Sequence, residues 1–170
     1  TLSLRPIDDL ILELRGSLTT DNHTGGSYLT QNSLSAKRGQ HNGSATRNTS
    51  RSKDELIEFI ATYNKNISDH SISGVGGYSW QQFVWENYSM TNRDFPSDLY
   101  FWNNIGIGTQ LSDGNAGMNS YKAQTNLAGF FGRISYDYRN KYFLMASIRH
   151  EGSSKFGSEN KWGSFPGVSG

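Results

Sequence analysis

Apolar and polar positions alternate along several stretches of this chain, most regularly between Asn126 and Pro166. Two apolar, aromatic-rich runs are joined there by Arg139, Asn140 and Lys141. In the first run Ala128, Phe130, Gly132, Ile134, Tyr136 and Tyr138 share one parity, and Leu127, Gly129, Phe131, Arg133, Ser135 and Asp137 the other. In the second, Tyr142, Leu144, Ala146, Ile148 and His150 alternate with Phe143, Met145, Ser147, Arg149 and Glu151. Successive strand side chains point to opposite faces, so each run carries a mostly apolar face and one that bears Arg, Asp, Ser and Glu. The polar tripeptide between them predicts a hairpin. A helical period fits less well, because polarity changes at every second residue and aromatics abound.

The same rhythm recurs upstream. From Ile7 to Thr19, Leu10, Leu12, Leu14, Gly16 and Leu18 oppose Ile11, Glu13, Arg15, Ser17 and Thr19. Asp54 to Asn64 sets Ile57, Phe59, Ala61 and Tyr63 against Glu58, Thr62 and Asn64, although Leu56 and Ile60 break the polar side. An amphipathic helix entered at Ser52, with Glu55 three residues on as in a capping box, competes for that segment. Ser71 to Gln81 places Ile72, Tyr78 and Trp80 on one parity, and the polar stretch Lys65 to Asp69 turns the chain into it. Between these runs, Thr20 to Arg51 is rich in Gly, Ser, Thr, Asn and His and predicts a long loop. Gln82 to Thr125 predicts a second long connection, too aromatic to be a plain linker. "FPGVSG" at the end reads as the start of one more strand.

Two all-β architectures accommodate this pattern. One is a soluble β-sandwich that binds carbohydrate through loop aromatics; the other is an antiparallel transmembrane β-barrel segment of about six to seven strands with two long extracellular loops. Composition favours the second. The apolar fraction is 34% with 13% aromatics, which suits strands half of whose side chains face water and is unlike disorder, which lacks aromatics. A net charge of +1 and scattered basic residues give no electrostatic case for nucleic acid. The absence of Cys removes disulfides and thiolate metal sites. No apolar run approaches the roughly 18 residues of a membrane helix, whereas a barrel strand needs only about 9–11 alternating ones. In such a barrel the short turns, Lys65 to Asp69 and Arg139 to Lys141, would be periplasmic. The long connections Thr20 to Arg51 and Gln82 to Thr125, with Gly152 to Lys161, would be extracellular. Tyr136, Tyr138 and Tyr142 would then bracket one turn as an aromatic girdle.

The wording of the hairpin is specific. Phe131, Gly132, Arg133, Tyr136 and Tyr138, then Lys141, Tyr142 and Leu144, are followed by Arg149, Gly152, Ser153, Ser154, Lys155, Phe156 and Gly157, and by Trp162, Gly163, Phe165 and Pro166. This string closely resembles a segment of the SusC/RagA family of TonB-dependent outer-membrane transporters. It departs from the family pattern at His150 and Glu151, where a basic residue followed by Asp is more familiar, and at Gly167, where Ser is common. A looser resemblance upstream rests on Tyr63, Asn64, His70, Gly77, Tyr78 and Ser79. The resemblance implies energised import of glycans or peptides across a bacterial outer membrane of the Bacteroidetes type. It implies a SusD-like surface lipoprotein as partner, the TonB complex as energy source, outer-membrane lipid around the wall, and a barrel of about 22 strands with a plugged lumen. Residues 1–170 would then be part of the barrel domain, an internal piece without the plug. An outer-membrane protein needs a signal peptide for export, and none is expected within such an internal piece.

Candidate chemistry is sparse. His23, His41, His70 and His150 show no metal-ligand spacing. Asp8 with Asp9, and Asp54 with Glu55, have no acid partner elsewhere and read as wet strand ends. No nucleophile elbow is present, and Gly74–Gly77 (GVGG) lacks the Lys-Ser/Thr of a phosphate loop, so its glycines point to close packing or a bend. Neither a catalytic residue nor a cofactor is expected. The triplets at Asn22, Asn42, Asn48, Asn66 and Asn87 are what a Ser-, Thr- and Asn-rich chain generates by chance. Trp85, Tyr88, Tyr100 and Trp102 are the expected ligand contacts, since their faces stack on flat apolar surfaces such as sugar rings. Packing within the loops or onto a partner lipoprotein explains them equally well. Arg133 and Arg149 fall on the polar parity, the lumen side of a barrel, where pairing with Asp137 or Glu151, or facing the plug, is expected.

Overall fold

The computed structural model describes residues 1–157 and 159–170. Seven strands form one sheet in sequence order: β1 (Leu2–Ile7), β2 (Leu10–Leu29), β3 (Ser44–Ile67), β4 (His70–Arg93), β5 (Gly117–Tyr138), β6 (Tyr142–Ser153) and β7 (Trp162–Ser169). β1 and β2 pair antiparallel, as do β5 with β6 and β6 with β7. The predicted hairpin is present in the expected register, with Ile134 opposite Ala146 and Tyr138 opposite Tyr142. Its turn holds Arg139 and Asn140 at φ 56 and φ 52, the two left-handed residues of a type I′ connection, whose twist matches that of the flanking strands. Asp137 steadies the turn by accepting the Asn140 N–H at 2.8 Å.

Several expectations change. β1 was not visible in the alternation, because Pro6 has no N–H for the ladder and the β1–β2 register shifts between Leu4 and Ile7. The two predicted long loops are shorter than expected. β2 continues to Leu29 and β3 starts at Ser44, while β4 runs to Arg93 and β5 begins at Gly117. The extensions of β2 and β3 carry too few large apolar residues to advertise themselves, and in that of β4 the large residues Phe83, Val84, Trp85, Tyr88 and Met90 fall on both parities. Ser52 and Glu55 lie in β3, so the capping box belongs to no helix. The remaining connections hold a short helix α1 (Leu34–Arg38) and 3₁₀ segments at Asp98–Ile107 and Thr109–Leu111. Of the expected connection from Gly152 to Lys161, Ser158 lies outside the described residues, and Gly152 and Ser153 belong to β6.

The chain divides into two compact units, one of residues 1–19, 53–83 and 124–170, the other of residues 20–52 and 84–123. Their packing differs in kind. Among the described residues the buried apolar side chains are Ala36, Ala45 and Phe95, all in the second unit. Among the described residues the sheet of the first unit has no buried apolar core, and the sandwich alternative fails for that reason: a sandwich buries the inner faces of two sheets, and the described strands form one. Gly77 shows the expected close packing. A Cβ there would collide with the Phe59 carbonyl and lie 2.8 Å from the Phe131 ring.

Candidate functional site

The first unit presents two unlike faces. On one, Leu2, Leu4, Leu14, Leu18, Ile57, Phe59, Ile72, Ile134, Leu144, Ile148 and Val168 stand exposed. So large an apolar surface without cover marks an interaction site. Aromatic rings edge it on both sides. Towards the short turns, His70 lies 5.9 Å from Tyr136 and 5.0 Å from Tyr138, and Tyr138 stacks with Tyr142 at 6.4 Å. Towards the long connections, Tyr78 meets Phe130 at 5.0 Å, and His150 stacks on Trp162 at 4.9 Å. His70 and Tyr78, Tyr138 and Phe130, and Tyr142 and His150 are each eight residues apart on one strand. Eight residues span roughly 27 Å along a strand. Tilted strands project that onto roughly 20 Å, close to the ~25 Å apolar band between the aromatic girdles of a membrane barrel.

The opposite face carries Glu13, Arg15, Asp54, Glu58, Gln81, Arg133, Arg149 and Glu151, matching the predicted polar parity. Gln81 donates to both carboxylate oxygens of Asp54 at 2.9 Å. Arg15 pairs with Glu13 at 2.9 Å, and Arg149 with Glu151. Arg149 thus takes one of its two expected partners. Arg133 takes neither: among the described residues it forms no ion pair, while Asp137 is engaged by the turn.

The second unit is held by a few polar and aromatic contacts that join its two connections. The Tyr28 ring meets Phe95 and Phe101 edge-on, each at 5.4 Å. Its hydroxyl donates to Asp98 Oδ1 at 2.8 Å, and the same oxygen accepts the Gln31 N–H at 3.0 Å. Asp94, at φ 59, accepts from Asn42 N at 2.7 Å and Gln110 Nε2 at 2.8 Å. Asn92, 3% exposed, donates to the Ile105 and Gly108 carbonyls, each at 2.8 Å.

Burial, then the hydrogen bond to Asp98 and its charge, push the Tyr28 phenol up to about 12. The neutral phenol is therefore the form the folded unit favours. Its contribution is complete below the ordinary tyrosine value and is lost as pH rises from 10 through about 12. Absorbance titration at 295 nm should show one late-ionising tyrosine that Tyr28→Phe removes. Ionisation of all tyrosines near pH 10 would refute the Tyr28–Asp98 bond.

The expected ligand-contact aromatics do not converge. Trp85 and Tyr88 lie on β4 three positions apart and so point to opposite faces. Trp85 pairs with Tyr121 of β5 at 5.6 Å. Trp102 covers Gly26, where a Cβ would fall 2.7 Å from the indole, and lies 6.2 Å from Phe101. Tyr100 is half exposed. Tyr121 was missed by sequence reasoning, since it sits alone among polar residues and only the pairing of β4 with β5 gives it a partner. Beside Trp85 in strand parity, Asn87 has a buried Oδ1 without a hydrogen-bond partner among the described residues. Among the described residues no group of three or more His, Asp or Glu side chains is placed to hold a metal.

A single sheet of long sequential strands, apolar and ringed by aromatics on one face, polar on the other, and without a core of its own, is the wall of a transmembrane β-barrel. No family profile matches the chain. TonB-dependent receptor P39 of Formosa agariphila is 34% identical over 141 residues, 81% of this chain and 13% of the relative. TonB-dependent receptor P3 of the same organism is 33% identical over 124 residues, 73% of this chain and 12% of the relative. TonB-dependent receptor SusC of Bacteroides thetaiotaomicron is 37% identical over 49 residues, 29% of this chain and 5% of the relative. The fold matches the structure of the RagAB peptide transporter with a TM-score of 0.86 at 20% identity, over 98% of this chain and 18% of that one. The chain belongs to the SusC/RagA family of TonB-dependent receptors and spans about an eighth of the length of its first two curated relatives.

Proposed function

We propose that this chain is a wall segment of an outer-membrane importer that takes up a glycan or a peptide, driven by the TonB complex and served by a SusD-like surface lipoprotein. The observation that carries the reading is the uncovered apolar face between two aromatic belts, on a sheet with no buried apolar core of its own. The names of the relatives support energised uptake, and the likeness to a peptide transporter supports the fold on which it would run. A TonB-coupled importer needs a polar lumen, and the Arg149–Glu151 and Arg15–Glu13 pairs, with Arg133 on the same face, supply one. Arg133 is suited to meet an acidic group of a lumen plug, because a lumen charge is normally compensated.

Within the second unit, the Trp85–Tyr121 pair beside the free Asn87 oxygen is the best-equipped ligand contact. Two ring faces suit a sugar ring or a peptide side chain, and the amide oxygen accepts a hydroxyl or backbone N–H. Tyr88, Tyr100 and Trp102 remain contacts for ligand or lipoprotein.

The test is uptake by cells that express the protein from its native gene. Uptake should stop when energy coupling is abolished. Trp85→Ala with Tyr121→Ala should weaken apparent affinity severalfold, about 0.5–1.5 kcal/mol for the lost stacking. Uptake indifferent to energy coupling would sink the importer reading; unchanged affinity in the double variant would sink only the contact.

A further inference from the structure

Where β3, β4 and β5 run through the second unit, their charges are sorted by face. The hydroxyls of Thr46 and Thr91 meet at 3.1 Å, and a Cβ on Gly117 would lie 3.7 Å from that of Thr91. Thr46, Thr91 and Gly117 therefore share one face, and alternation assigns the neighbouring positions. On this face β4 carries Trp85, Asn87, Ser89 and Thr91. Asn48 and Ser50 join them from β3, and Asn119 and Tyr121 from β5. Arg47, Arg51, Glu86 and Lys122 all fall on the opposite face, where Lys122 pairs with Glu86 at 3.4 Å. The charges that share the first face stand at its margins. Arg93 closes β4; Asp21 lies on β2, two strands from Trp85 and four residues before Gly25, whose added Cβ would fall against Asn48. Further along the same strands this parity is charged, with Asp54 and Glu58 on β3 and Arg133 on β5. The neutrality is therefore local, and it coincides with the Trp85–Tyr121 pair.

A face so made suits one kind of ligand. The two rings are inclined at 54° with centroids 5.6 Å apart, so they do not lie flat on each other, and Tyr121 is 58% exposed. An exposed ring takes the apolar C–H face of a sugar. The amides and hydroxyls around it both donate and accept, as the hydroxyls of a sugar do, and the Asn87 oxygen has no donor among the described residues. A carboxylate, sulfate or ammonium group brought to the same place would give up its hydration and find no opposite charge. Peptides carry such groups at their termini and side chains, and uronic-acid and sulfated glycans carry them along their length. We infer that this face admits an uncharged oligosaccharide and discriminates against charged glycans and peptides by withholding any counter-charge. The inference rests on the reading of Trp85 and Tyr121 as ligand contacts.

Binding to the protein expressed from its native gene and held in detergent tests this, with a panel of neutral, uronic-acid and sulfated oligosaccharides and a peptide library of mixed charge as probes. A neutral oligosaccharide should bind, with the same affinity at low and high salt, because an uncharged ligand has no ion pair to screen. Its affinity should fall severalfold in Trp85→Ala with Tyr121→Ala and return in Trp85→Phe with Tyr121→Phe, which keeps both rings. Asn119→Arg, two positions from Tyr121 on the same face, should bring a sulfated oligosaccharide onto the protein and leave the neutral one bound as before. Binding by charged probes alone, or a sulfated oligosaccharide held as tightly by the unaltered protein as by Asn119→Arg, would overturn the inference. If that binding still fell in the alanine variant, the rings would remain ligand contacts. A neutral oligosaccharide bound equally by the alanine variant would overturn both readings, as would a panel with no bound member.

Discussion

Phe95→Ala is expected to cost the second unit about 3–5 kcal/mol, the usual range for deleting a buried phenyl ring. Phe95 is 2% exposed and is the largest fully buried side chain among the described residues. It also pins the two connections of that unit together. Its N–H donates to the Asn42 carbonyl at 2.7 Å, its carbonyl accepts from Gln31 Nε2 at 2.5 Å, and its ring packs edge-on against Tyr28. Among the described residues the other buried apolar side chains are Ala36 and Ala45, neither of which could fill the space a phenyl ring leaves. Residues 30–43 and 94–116 should lose hydrogen-exchange protection and become sites of proteolytic cleavage, while the strands of the first unit keep theirs. Leu99→Ala is the control: Leu99 is 71% exposed, and such surface changes stay within about 0.5 kcal/mol. Equal protection in the two variants would show that Phe95 does not hold the connections.

The sequence disclosed the first unit far better than the second, for a physical reason. Where one face of a strand meets hydrocarbon and the other water, the period of two is imposed on every residue, and Phe130, Gly132, Ile134 and Tyr136 announce their shared face without any coordinates. In the second unit the strands show no such regular period. Ser44–Ser52 and Gly117–Ala123 alternate weakly and read as loop, although they pair as strands. What orders that unit is single side chains acting across long sequence separations: Asp98 with Tyr28 and Gln31, Asp94 with Asn42, and Asn92 with two carbonyls. No local pattern encodes such pairings. The aromatics show the same divide. Tyr136, Tyr138 and Tyr142 were readable as a girdle from their place beside a turn, whereas the Trp85–Tyr121 pair depends on how β4 and β5 meet.

Ile134→Arg is expected to destabilise the wall by about 2–4 kcal/mol, and Ser135→Arg, one residue on, by little. Ile134 lies four residues from Phe130 and four from Tyr138, midway between the two belts, and it is 62% exposed on the apolar face. A guanidinium there would stand at bilayer mid-depth, where the cost of a lipid-facing cation is greatest and falls off towards the interfaces. Ser135 points to the opposite face, which already carries Arg133 and the Arg149–Glu151 pair. A one-residue step thus reverses the environment of the same side chain, because strand side chains alternate. Denaturant unfolding of the protein in lipid vesicles, or the folded fraction recovered in the membrane, distinguishes the two variants. A similar loss for both would mean that the faces are not divided between lipid and water. A larger loss for Ser135→Arg would mean that they are assigned the wrong way round.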